Sequence, residues 1–147
     1  MIMIQQLLAA AVGTVAFALL FSVPSKFYFH CGVVGAVGWL IYCLCKDLGA
    51  SANESIFFAT VVVILLSRIF AVRERCPATV FVICGIFPLV PGAGIYWTAY
   101  YLVTNQLQDA LVSGFSAIKA VVALVLGIVV VFEMPHKWFR LASKKKK

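Results

Sequence analysis

Five apolar runs follow one another with only short polar interruptions: residues 2–21, 27–45, 55–72, 78–104 and 111–134. A helix needs roughly 20 apolar residues to cross a bilayer, so each run is long enough to span. The alternative, a soluble core, fails on composition. The 147-residue chain is 64% hydrophobic and 12% charged, with a mean hydropathy of +1.07. A soluble domain of this size cannot hide that much apolar surface. The expected fold is an all-α, polytopic membrane helical bundle of about five transmembrane helices, forming a single domain over residues 1–147. The first run lacks a positive flank, which argues for a retained helix rather than a cleaved leader.

The fourth run is the irregular one. At ~27 residues it would span about 40 Å unbroken, more than the hydrocarbon core. Within it lies Pro88-Leu89-Val90-Pro91-Gly92-Ala93-Gly94. Proline has no N–H and its ring clashes with the preceding turn. Pro88 leaves the carbonyl of Cys84 without its helical donor, and Pro91 that of Phe87. Gly92 and Gly94 bare the backbone. A half-helix starting near Pro91 is expected to present free N–H groups around Ala93, Gly94 and Ile95, the positive end of a helix dipole. Hydrocarbon tolerates such backbone only beside protein or a watery cavity. Broken helices with these two polarities hold substrates in secondary transporters; the alternative is a proline kink satisfied by a neighbouring helix.

Charge is sparse inside the runs. Arg68 lies near the end of the third, where it either clamps a carboxylate or snorkels to the headgroups. Lys119 either pairs with Asp109 or Glu54 or snorkels. Tyr96, Trp97, Tyr100 and Tyr101 either line a path or form an interfacial belt. Asn105, Gln106 and Asp109 read as a wet loop. His30 reads as an interface residue, and the five cysteines as small packing residues. Three small-residue faces invite close helix approach: Ala9/Gly13/Ala16, Gly32/Gly35/Gly38 and Ser116/Ala120/Ala123/Gly127. The net charge of +7 does not point to nucleic acid. It gathers at Lys26, at Arg68 to Arg75 and in the tail from His136, as orientation signals do. The positive-inside rule then places the N-terminus outside and the C-terminus in the cytoplasm. No nucleophile–base pair, metal-ligand spacing or phosphate loop is visible, so neither an enzyme nor a cofactor is expected.

Several motifs together resemble a known family. They are Phe21-Ser22-Val23-Pro24 before a Gly-rich span, Ser67-Arg68, Pro77, Phe87-Pro88-Leu89-Val90-Pro91-Gly92 followed by Tyr96, and the close at Met134-Pro135. The chain resembles the threonine/serine exporter family, specifically its small YjjB-like component, over nearly its whole length. The resemblance implies a prokaryotic cytoplasmic membrane and export of small carboxylates, either threonine and serine or succinate-type dicarboxylates. It also implies a larger YjjP-like membrane subunit as partner. The expected binding residues are Arg68, Cys84, Phe87, Pro88, Pro91, Gly92, Ala93, Gly94 and Tyr96. A non-transporting membrane scaffold is the other reading.

Overall fold

The computed structural model describes residues 2–134, of Ile2 only the backbone; Pro135, His136 and the basic tail lie outside the described residues. The described residues form helices and turns with no strand. The order is α1 (Ile2–Leu20), α2 (Tyr28–Asp47), α3 (Ala52–Glu74), α4 (Thr79–Ile86), α5 (Gly92–Val103) and α6 (Leu107–Phe132). Short 3₁₀ turns at Ser25–Phe27 and Phe87–Leu89 precede α2 and follow α4. Four helices are long and apolar enough to cross a membrane: α1, α2 with its leading turn, α3 and α6. The pair α4 and α5 makes a fifth apolar unit, bent by 53° at the break.

Helix ends follow local chemistry. Ser51 caps α3 reciprocally: its hydroxyl accepts the Glu54 N–H at 3.3 Å, and the Glu54 carboxylate accepts the Ser51 N–H at 2.8 Å. Arg75 closes α3 in the left-handed region (φ 53°), and the Cys76 N–H returns to the Ala71 carbonyl at 3.0 Å. Pro77 stands just ahead of α4, whose N-cap is Ala78. Replacing Ser51 with alanine is expected to cost about 1 kcal/mol. A lowered unfolding midpoint in detergent would register it, and an unchanged midpoint would show the cap to be idle.

One boundary departs from expectation. Residues 105–109 do not form a loop throughout, because α6 begins at Leu107 and takes in Gln108 and Asp109. Asp109 sits in the first turn, where a carboxylate complements the helix dipole. The polarity that reads as a loop is the polarity of a helix start.

The helices pack in a chain of neighbours: α1 on α2, α2 on α3, α3 on α4 and α6, and α5 principally on α6. Lipid supplies no hydrophobic drive for this, so close contact between small residues must. The Gly32/Gly35/Gly38 stripe divides between two partners. A Cβ on Gly32 or Gly35 would meet Val15 or Thr14 of α1, whereas one on Gly38 would meet Val63 of α3. Three-residue steps lag the helix by 60°, so the stripe turns from one neighbour to the next. Gly127 lets α6 approach α3, since a Cβ there would stand 2.9 Å from Thr60 Cβ and 3.0 Å from the Phe57 carbonyl. The Ala9/Gly13/Ala16 face is largely open among the described residues. Ala9 and Ala16 are exposed, and a Cβ on Gly13 would meet nothing within 4 Å. The buried face of α1 is instead Thr14 and Ala18.

Three core clusters cross the described bundle, the smallest joining Ile64, Val82 and Val131. Of the two larger, the first joins Ala18, Phe27, Cys31, Ala71, Phe81 and Cys84. The second joins Val34, Ile56, Val63, Leu89, Ala120 and Leu124, and so anchors the break to α2, α3 and α6. Cys31 and Cys84 are buried packing residues; Cys43, Cys45 and Cys76 are partly buried, and all five thiols are free.

Candidate functional site at the helix break

The break has a defined course. After the turn Phe87–Leu89, Val90 is extended (φ −65°, ψ 130°), the conformation a residue before proline favours. The Val90 N–H returns to the Phe87 carbonyl at 3.2 Å, and the Gly92 N–H to Val90 O at 2.7 Å. The first bond of α5 runs from the Ile95 N–H to Pro91 O at 3.2 Å. Two expectations are corrected here. The Ile95 N–H is already engaged, and the Phe87 carbonyl has a donor in the local turn. The donors ahead of the first helical bond are those of Ala93 and Gly94, at the positive end of the α5 dipole.

A half-open cavity of about 320 Å³ lies beside this turn. Pro88, Pro91, Gly92, Ala93 and Gly94 line it, as the sequence leads one to expect. The rest of the wall comes from Trp39 and Tyr42 of α2, Asn53 and Ile56 of α3, and Ser116, Ala117 and Ala120 of α6. Gly94 permits this closure, because a Cβ there would stand 3.1 Å from that of Ala117. None of the lining residues carries a charge. The polar groups available are the amide of Asn53, the hydroxyls of Tyr42 and Ser116 and the exposed backbone.

Four expected residues lie elsewhere. Cys84 is fully buried in the first core cluster. Phe87 stacks on Phe17 of α1, with ring centroids 3.6 Å apart. Tyr96 is exposed on α5 and meets Trp97 edge-on at 5.3 Å. Trp97, Tyr100 and Tyr101 continue that aromatic group, so it forms an outer face of α5 rather than a wall of the cavity.

Arg68 is the largest displacement. It lies about 18 Å along α3 from Ile56, twelve residues at 1.5 Å each, and faces a separate cavity of about 270 Å³ with Ala71, Cys76 and Pro77. The residue is only 5% exposed, so it does not snorkel either. Nη1 donates to the Val131 carbonyl and, at 3.1 Å, to that of Met134. The guanidinium also lies 5.6 Å from the Phe132 ring centroid. Arg68 thus caps the C-terminal end of α6, where the last carbonyls lack helical donors. Lys119 is exposed and lies 5.6 Å from the Phe115 ring centroid. His30 Nε2 approaches Glu74 Oε1 at 3.8 Å.

The wall residues missed in the sequence carried signals of another kind. Ser116 and Ala120 read as a packing face, and nothing local ties Trp39 and Tyr42 of α2 to the break. Only the fold brings them to the break.

Known proteins provide a further comparison. Residues 6–134 match the family described as Threonine/Serine exporter, ThrE. An uncharacterized protein of Haemophilus influenzae is 27% identical over 120 residues. That alignment covers 77% of this chain and 40% of the relative, so the chain spans about two fifths of that protein's length. No solved structure gives a significant match. The family match runs from the first turns of α1 past the end of α6 and takes in the whole break: the chain belongs to the threonine/serine exporter family.

Proposed function

We propose that this chain is the small subunit of a split secondary exporter that moves small carboxylates out of the cytoplasm. The observation that carries the reading is the cavity at the break, where the start of a helix opens onto a space lined from four sides. The substrate carboxylate meets the N–H groups of Ala93 and Gly94. Asn53, Tyr42 and Ser116 receive its ammonium or hydroxyl. A helix N-terminus offers about half a positive charge, and no lining side chain adds to it. One carboxylate balanced by its own ammonium suits such a site better than a dianion, whose second charge would stay uncompensated. Threonine or serine is therefore favoured over succinate.

The cavity is open on one side, and the small-residue face of α1 is largely open. Both support a second membrane subunit, of the YjjP-like kind, that closes the site. Lys26, Arg73 and Arg75 gather with Glu74 at one end of the bundle, and Lys46 stands with Asp47, Glu54 and Asp109 at the other. That asymmetry supports a cytoplasmic C-terminus and an outer N-terminus in a prokaryotic cytoplasmic membrane.

Vesicles containing the chain, with and without that subunit, test the reading through efflux of labelled threonine, serine and succinate. Threonine or serine flux that needs both subunits is expected. Absence of flux for all three solutes under an imposed ion gradient would leave the scaffold reading. Gly92→Leu places a side chain where a Cβ meets nothing within 4 Å, so the bundle should form while the cavity fills. Flux should fall at least about tenfold, and wild-type flux in this variant would remove the break from the substrate path.

A further inference from the structure

A second, smaller cavity of about 220 Å³ lies against the first. It is lined by Gln6, Ala9 and Ala10 of α1, together with Trp39 and Pro88. Trp39 and Pro88 also line the break cavity. These two residues alone are common to both spaces, so they form the partition between them.

The two halves of the partition differ in freedom. Pro88 is locked by its ring and held between Phe87, stacked on Phe17, and Leu89, which is 3% exposed. Trp39 is only partly buried. Its indole N–H donates to Gln6 Oε1 at 3.4 Å, the long end of the hydrogen-bond range. The Cys43 thiol shares that oxygen at 3.6 Å. The ring otherwise rests against Tyr42, with centroids 5.1 Å apart. On the far side stand two alanines and open space. A bulky ring held by one weak bond at the edge of an open groove can swing, whereas a proline cannot.

We propose that Trp39, latched by Gln6, is a gate between the break cavity and an exit leading toward the N-terminal end of α1. This rests on the export reading of the break. When the latch opens, the indole moves aside and the two cavities become one path. The Gln6 end lies opposite the basic end of the bundle, so under the proposed orientation this gate faces outward. Gln6 and Trp39 act as positioning residues that control passage; neither needs to hold the substrate.

Cys43 reports on the latch directly. The full chain, with its partner subunit in vesicles, is treated with N-ethylmaleimide, and modification is followed residue by residue by mass spectrometry. Cys76, in the loop at the opposite end, serves as the reference thiol. Gln6→Leu and Trp39→Phe should each raise the Cys43 rate about tenfold relative to Cys76. Gln6→Glu keeps an oxygen acceptor and should retain the slow rate. Added threonine should speed Cys43 labelling in the wild type and have no further effect in Gln6→Leu. Equal Cys43 rates in all four proteins, with normal flux, would overturn the gate and leave the exporter reading standing. Rates that respond to Gln6 and Trp39 in vesicles that carry no flux would uphold the partition and overturn transport.

Discussion

Arg68→Met is expected to lower the stability of the bundle by about 1–3 kcal/mol, because it removes the guanidinium donor from the Val131 and Met134 carbonyls in a region of low polarity and leaves Val131 only the Met134 N–H at 3.2 Å. Methionine fills comparable space and stacks on Phe132, so the loss isolates hydrogen bonding from packing. Arg68→Lys should recover part of the loss, since an ammonium donates but lacks the planar fork. The measurement is the unfolding midpoint in detergent, paired with the rate of cleavage near the end of α6. A marginal membrane domain losing this much should also accumulate poorly. If Arg68→Met folds and accumulates normally while flux disappears, Arg68 serves the substrate path and its role as a cap is wrong.

The second large effect is expected at Gly35. A Cβ there would overlap Thr14 Oγ1 and lie 2.7 Å from Thr14 Cβ. Thr14 is fully buried and its hydroxyl donates to Ala10 O at 2.7 Å, so it has nowhere to go. Gly35→Leu should therefore separate α1 from α2, costing about 3 kcal/mol or more. The damage reaches the break, since α1 also carries Phe17, which stacks on Phe87. Gly35→Ala combined with Thr14→Gly should restore most of the stability lost by Gly35→Ala alone; such non-additivity marks a direct contact. Gly13→Leu, on the open face of the same helix, is the matched control and should fold normally in the isolated chain. Equal midpoints for the Gly35 and Gly13 variants would refute the packing argument.

The two predictions differ in how far the sequence foreshadows them. The Pro88-to-Gly94 turn is legible because proline and glycine act on their own backbone, and their effect needs no neighbour. The Ser51 cap is as local, set by residues three apart, although the apolar run itself starts only at residue 55. Arg68 is not legible, because its partners are carbonyls more than sixty residues away. An arginine near a helix end looks the same in the sequence whether it reaches for lipid, ligand or a distant helix terminus. The glycine stripe of α2 is half legible: three-residue spacing announces close approach but not that the stripe turns from α1 to α3. Gln6 and Trp39 lie on different helices, and their hydrogen bond exists only once α1 and α2 are packed.

α5 has no buried residue and rests mainly on α6. It is rooted at the Pro–Gly turn and held along its length by one neighbour, with Gly94 close to Ala117 and Thr98 close to Gly114. Bending it leaves the packing among α1, α2 and α3 in place, so its cost falls on the root and on the seam with α6. The N–H groups of Ala93 and Gly94 sit at that root. A displacement at the aromatic tip, near Tyr100 and Tyr101, therefore rotates the two donors with the axis while the cavity walls on α2 and α3 stay in place. Whatever grips the tip, lipid or protein, sets how well those donors face the cavity.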